Sequence, residues 1–98
     1  MESHRQGDLL FVKTVKPRGK QELVKNRIIA KGTATGHTHK LRAGTGKLIK
    51  IENDAYVVVA LKAYIDHQEH DTTILSKGVW KIITQREYEP EGWRYVQD

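Results

Sequence analysis

Short runs of apolar residues broken by turn-forming residues dominate this chain. Leu9 to Val15, Arg27 to Thr35, Lys47 to Glu52, Ala55 to Lys62 and Val79 to Thr84 read as strands. In the third, Ile49 and Ile51 share one face and Lys50 and Glu52 the other; in the fifth, Trp80 and Ile82 face one way. The fourth is the strongest. Val57, Val59 and Leu61 alternate with Tyr56, Val58 and Ala60, so both faces are apolar and the strand is expected to be central and buried on both sides. Tyr64 and Ile65 continue it or begin the next strand, and His37 to Arg42 forms another short strand or prolongs the one before it.

Turn signals separate these runs. Gly7-Asp8 opens the first, Pro17-Arg18-Gly19 ends it, and Ala43-Gly44-Thr45-Gly46, Glu52-Asn53-Asp54, Ser76-Lys77-Gly78 and Pro90-Glu91-Gly92 mark further turns. Gly32 is placed as a bulge, Gln21 to Asn26 as one or two helical turns with little to anchor them, Asp66 to Thr73 as a polar link, and Trp93 to Val96 as the last strand. No segment holds a helical period beyond two turns. The expectation is a single all-β domain over residues 1–98, a small barrel or sandwich of about seven short antiparallel strands. Such a fold joins distant parts of the chain, so residues far apart in sequence can share a site.

Composition narrows the classes. The chain has 98 residues and no Cys, which removes disulfides and thiolate chemistry and leaves His, Asp, Glu and backbone oxygen for any metal. The longest apolar run, Tyr56 to Leu61, is far short of the roughly 20 residues of a spanning helix. The N-terminal Met1-Glu2-Ser3-His4-Arg5-Gln6 has no apolar stretch for a signal peptide, so a cytoplasmic location is expected, with no membrane contact.

The net charge of +5 is uneven: residues 1–50 carry +9 and residues 51–98 carry −4. Lys13, Lys16, Arg18, Lys20, Lys25, Arg27 and Lys31 stand against one acid, Glu22. A stretch of this kind tracks a phosphate backbone, gaining entropy from released counterions, or it is a solvated Lys-rich surface. No aromatic lies between residues 12 and 55, so nucleic-acid contact by Lys13, Lys16, Arg18, Lys20, Arg27, Lys31, Lys40 and Arg42 would be electrostatic and not a stacking platform.

The chemistry is carried by histidine. Gly36-His37-Thr38-His39 and Asp66-His67-Gln68-Glu69-His70-Asp71 hold four of the five His. Spacing of two on a strand sets His37 and His39 on one face, roughly 7 Å apart. Spacing of three puts His67 and His70 on one side of a turn or tight loop. If the two pairs meet, they form either a metal centre or an acid–base centre. Three His nitrogens and an open position suit catalytic zinc, and mixed His and carboxylate sets also suit Mn, Fe or Ni. Without a metal, one His takes a proton from a nucleophile such as a ribose 2′-hydroxyl and another gives one to the leaving oxygen, while Lys40, Arg42 or Arg86 holds the phosphate. Asp66, Glu69 and Asp71 make the second motif acidic, which repels phosphate and attracts a cation and tips the reading toward a divalent metal, Zn or Mn.

Weaker patterns fail. Gly44-Thr45-Gly46-Lys47 lacks the Gly and the Ser/Thr of a full phosphate-binding loop, since Leu41 and Leu48 stand there. His70-Asp71-Thr72 is half of a two-histidine phosphoesterase signature with no second copy. In the tail, Arg86 and Arg94 can pair with Glu87, Glu89 or Glu91, with Trp93 and Tyr95 closing the core; otherwise Arg86 and Tyr88 reach the His cluster, Arg86 holding an anion.

Gly36-His37-Thr38-His39, His67-Gln68-Glu69-His70 and Gln85-Arg86-Glu87-Tyr88-Glu89-Pro90, in this order, resemble a group of short prokaryotic proteins with no established activity. The resemblance implies that the three motifs belong together and says nothing of a substrate. The expected function is cleavage of a phosphodiester in RNA or a nucleotide. Its site would be His37, His39, His67 and His70, acting as metal ligands or as acid and base, with Glu69 as ligand or base and Arg86 as anion holder. The rival expectation is a nucleic-acid- or protein-binding barrel, with a structural metal or none. A metalloenzyme of cupin type fits the His-x-His pair, but not the spacing of the following Glu or the chain length. An exposed edge strand would favour self-association into a homo-oligomer.

Overall fold

The computed structural model describes residues 2–31 and 36–84. These form eight strands and no helix: β1 (Ser3–Gln6), β2 (Leu9–Thr14), β3 (Gln21–Leu23), β4 (Ile28–Lys31), β5 (Thr38–Leu41), β6 (Lys47–Ile51), β7 (Asp54–Asp66) and β8 (Thr73–Thr84). All pairings are antiparallel. The order is β1-β2-β8-β7-β5-β4, with β6 also on β7 and β3 on β6, curling into a half-barrel. The all-β expectation holds. No helix of the described residues is long and apolar enough to cross a membrane.

The long strand β7 organises the sheet. One edge pairs with β8 along most of its length. The other serves β6 with its first half and β5 with its last two residues, Ile65 and Asp66. Between Val59 and Lys62 its register with β8 slips by one residue, where Gly78 takes a φ of +144°. This corrects the expected turn at Ser76-Lys77-Gly78, which is a bulge inside a continuous strand. The slip lets Leu75 and Trp80, five apart in sequence, face the same core. It also throws Leu61 outward: Val57 and Val59 are buried as expected, but Leu61 is 83% exposed.

The main core, inside the curl, is Leu9, Phe11, Leu41, Leu48, Val57, Val59, Ala63, Ile65, Leu75 and Trp80. A second cluster of Ile49, Ile51 and Tyr56 lies apart from it, with Val58 and Val79 packed against it. Gly19 closes over this cluster; a Cβ there would fall 2.9 Å from Ile51. Adjacent Leu48 and Ile49 thus join different cores, which is how β6 buries both faces.

Other expectations change in detail. Gln21 to Asn26 is not helical: Gln21–Leu23 pairs with Ile49–Ile51. The bulge assigned to Gly32 falls outside the described residues, as does the strand at Trp93 to Val96, while β4 has its own irregularity between Ile28 and Ala30. Wholly polar β1 was not expected.

Candidate active site

The site forms where three segments meet at one end of the main core. The first is the β1–β2 hairpin. Gln6 pairs with Leu9, leaving Gly7-Asp8 as a two-residue turn with Gly7 at a φ of +60°. A glycine with positive φ at the first central position is the mark of a turn whose twist suits a hairpin. The second is β5, whose His39 points into the curl and is buried. The third is the loop His67–Thr72 between β7 and β8. Gln68 pins this loop to β5: its Oε1 accepts the Thr38 amide at 2.9 Å, and its Nε2 reaches the Thr38 hydroxyl at 3.3 Å.

The two His pairs therefore meet. Ring centroids lie 4.4 Å apart for His39 and His67, 4.4 Å for His67 and His70, 5.6 Å for His37 and His67, and 6.2 Å for His39 and His70. His67 is the hub, adjacent to the other three.

Hydrogen bonds assign the ring protons. Gln6 is buried, and its Nε2 donates to the carbonyls of Ile65 at 2.7 Å and Asp71 at 2.9 Å. Its orientation is thereby fixed, and Oε1 can only accept. His39 Nδ1, 2.8 Å away, is therefore the donor, so its neutral ring carries the lone pair on Nε2, the nitrogen 3.6 Å from Asp8 Oδ1. His67 is the reverse. Its Nδ1 accepts the amides of Glu69 at 3.0 Å and His70 at 3.2 Å, so the proton sits on Nε2. Two neighbouring imidazoles thus hold opposite tautomers. His37 Nδ1 lies 3.1 Å from Glu69 Oε1, an ion pair whenever His37 is protonated.

Burial holds the His67 imidazole below its ordinary pKa of 6.5, helped by its neighbours His70 and His37 and opposed by Glu69 and Asp8. The two amides at Nδ1 act in the same direction, since they bond only the neutral ring. On acidification the unfolded chain takes up this proton first. Stability from His67 is therefore complete above about 6.5 and lost as pH falls through that value toward the lower folded one. Urea midpoints of the wild type should fall across this window. A His67→Gln protein should show a shallower fall, and equal slopes would remove His67 as the cause.

Two of the imidazoles have a carboxylate beside them, Asp8 at His39 and Glu69 at His37. His67 is a poor ligand, with Nδ1 occupied by two amides and Nε2 carrying the proton. Among the described residues no group of three or more His, Asp or Glu is arranged to hold an ion.

The remaining expected residues are placed as follows. Arg42, read as a phosphate holder, makes a two-pronged pair with Asp66 at 2.9 and 2.8 Å and lies over Tyr64. It holds the Asp66 carboxyl below the usual carboxylate range, and Thr72 bonds the same group. Arg27 donates to the Leu41 carbonyl. Lys13 lies over Trp80 and 3.6 Å from Glu2. Lys16, Arg18, Lys20, Lys31 and Lys40 are exposed; Lys40 alternates with buried His39 on β5, and Lys31 on β4 is in register with Thr38, so both lie on the face away from His39. Arg86 and the Gln85–Pro90 motif lie outside the described residues.

Gln6, Gly7 and Asp8 escaped the sequence reading, although a two-residue Gly-Asp turn between Gln6 and Leu9 was the signal for a hairpin that would carry them inward. Gly7 is needed twice. Its backbone is left-handed, and a Cβ would sit 2.8 Å from His70 Nε2 and 3.3 Å from His39 Cε1. Gly7→Ala should cost roughly 1–2 kcal/mol from the backbone alone, and it should also shift the His70 ring. Thermal unfolding and the imidazole NMR signals read the two effects; an unchanged Tm would refute the first.

Neither the curated proteins nor the solved structures offer a match to this chain. A family model does match, over residues 5–85, which takes in the Gly7-Asp8 turn, both His pairs and all of the sheet except the first two residues of β1. The chain belongs to that family, described as a domain of unknown function, DUF8820.

Proposed function

We propose that this protein cleaves a phosphodiester in RNA or a nucleotide, with the histidine cluster as its acid–base centre. The observation that carries the reading is the pair of opposite tautomers at His39 and His67, 4.4 Å apart. One ring offers a lone pair that can take a proton, and its neighbour offers a neutral N–H that can donate a hydrogen bond to a developing oxyanion. The +9 charge of the first fifty residues favours a polyanionic substrate.

Purified protein given RNA, or a ribonucleotide phosphodiester, should turn it over, and a His37→Ala protein should not. No turnover of any phosphodiester, with or without added metal, would overturn the proposal. A second reading is favoured by the Asp8 and Glu69 carboxylates at the imidazoles: a divalent ion, Zn or Mn, drawn to the acidic side of the cluster. Elemental analysis and activity in excess EDTA separate the two, since the acid–base version runs undiminished in chelator.

A further inference from the structure

Three imidazoles of the cluster have three different hydrogen-bond settings, and together they limit which phosphodiester can react. His39 is set up as a base. Its Nδ1–H is tied to Gln6, whose own two donors are spent on carbonyls, so Nε2 is the nitrogen able to accept a proton, with Asp8 Oδ1 3.6 Å away to stabilise the cation that results. His67 cannot be a base at Nε2, which already carries a proton. It is also a poor acid, because losing that proton would leave an anionic ring facing Glu69 and Asp8. What remains is a neutral donor, a fixed dipole for a developing negative oxygen. His37 stands against the Glu69 carboxylate, a partner for its cationic form.

The nucleophile is then the weak point. A metal makes water reactive by lowering its pKa to about 7, and an imidazole base alone does no such thing. A hydroxyl already attached next to the phosphorus makes up the difference, because well-oriented intramolecular groups reach effective molarities of about 10⁵–10⁸ M. Resting on the phosphodiesterase reading, we propose that the substrate class is RNA, cleaved through its own 2′-hydroxyl, with His39 as base, His37 as acid and His67 as donor to a non-bridging phosphoryl oxygen.

The step balances. The 2′-O–H bond breaks and its proton goes to His39 Nε2. The 2′-oxygen bonds phosphorus, the P–O5′ bond breaks, and the 5′-oxygen takes the proton of the His37 imidazolium. The products are a 2′,3′-cyclic phosphate and a free 5′-hydroxyl. The enzyme is left with His39 protonated and His37 neutral, and exchange with solvent restores both.

The test uses the wild-type protein and two oligonucleotides of one sequence, one all ribose and one all 2′-deoxyribose, in excess EDTA, with products read by mass. The ribose strand should be cut to 2′,3′-cyclic phosphate ends. The deoxy strand should be slower by a factor of about 10² or more, the loss of a neighbouring nucleophile being worth at least that. Comparable cutting of both strands would overturn this inference and leave the phosphodiesterase reading standing. So would cutting that needs added metal, or ribose ends that are never cyclic. Failure to cut either strand, or any other phosphodiester, under any metal condition would remove both.

Discussion

A Gln6→Leu protein should be less stable than the wild type by about 3–6 kcal/mol, and its His39 ring should lose its fixed tautomer. The estimate follows from counting partners. Gln6 sits buried at the end of β1 and satisfies three groups: His39 Nδ1–H, the Ile65 carbonyl and the Asp71 carbonyl. Leucine has nearly the same volume and satisfies none. Each buried polar group left without a partner costs about 1–3 kcal/mol, and the added apolar burial recovers part of the sum. Against a typical stability of about 5–15 kcal/mol for a domain, this is a large share. Gln6→Glu sharpens the result. It keeps an acceptor for His39 but turns two donors into a carboxylate facing two carbonyls, so it should also be destabilised at neutral pH while preserving the Nδ1–H tautomer of His39. Urea unfolding reads the first quantity and imidazole nitrogen shifts the second. A Gln6→Leu midpoint equal to that of the wild type would show that the amide network is incidental.

Gln6 also shows why the site was only half legible. His37 and His39, and His67 and His70, announce themselves by residue type and spacing, and an all-β chain makes their meeting plausible. Gln6 and Asp8 carry no such mark. They reach the cluster because the Gly7-Asp8 turn folds a polar strand, Ser3-His4-Arg5-Gln6, back along Leu9–Val12, and because β2 in turn pairs with β8, a long-range fact that no local pattern announces. The same limit applied to Arg42. Seen alone it is a cation available to phosphate. The β5–β7 register, which sets Lys40 opposite Asp66, brings the Asp66 carboxylate to the Arg42 guanidinium.

Strands were legible where alternation was strong and invisible where it was weak. β6 and the first half of β7 follow their apolar pattern. β3 has one apolar residue among Gln21-Glu22-Leu23 and exists because β6 offers it an edge. Ser76-Lys77-Gly78 has the composition of a turn, yet the chain runs straight through it. The slip at Val59 and Lys62 uses the glycine's freedom at φ +144°, against which the Lys13 side chain is packed. Local propensity chose correctly that something irregular happens there and could not say that a neighbouring strand would hold it extended.

Replacing single imidazoles should separate their roles. His39→Ala should lower turnover about 10²–10⁴-fold, the usual worth of a general base, while His67→Gln should lose about tenfold or less, well below the cost of a lost oxyanion donor. The asymmetry follows from what each ring does. Neither alanine nor asparagine at position 39 can take a proton from a hydroxyl. Glutamine at position 67 still presents an N–H, so the donor function survives even though the loop amides of Glu69 and His70 lose their acceptor. His39 is buried, so its loss also leaves the Gln6 Oε1 without a donor. His39→Asn is the companion variant, polar and smaller, able to restore a donor to Gln6 while remaining unable to take a proton. If His39→Asn folds with a wild-type urea midpoint and is still inactive, the defect is chemical. If instead His67→Gln is the dead protein and His39→Asn the active one, the tautomers have been assigned to the wrong partners. The base would then be His67, and the two loop amides at its Nδ1 would not fix its tautomer.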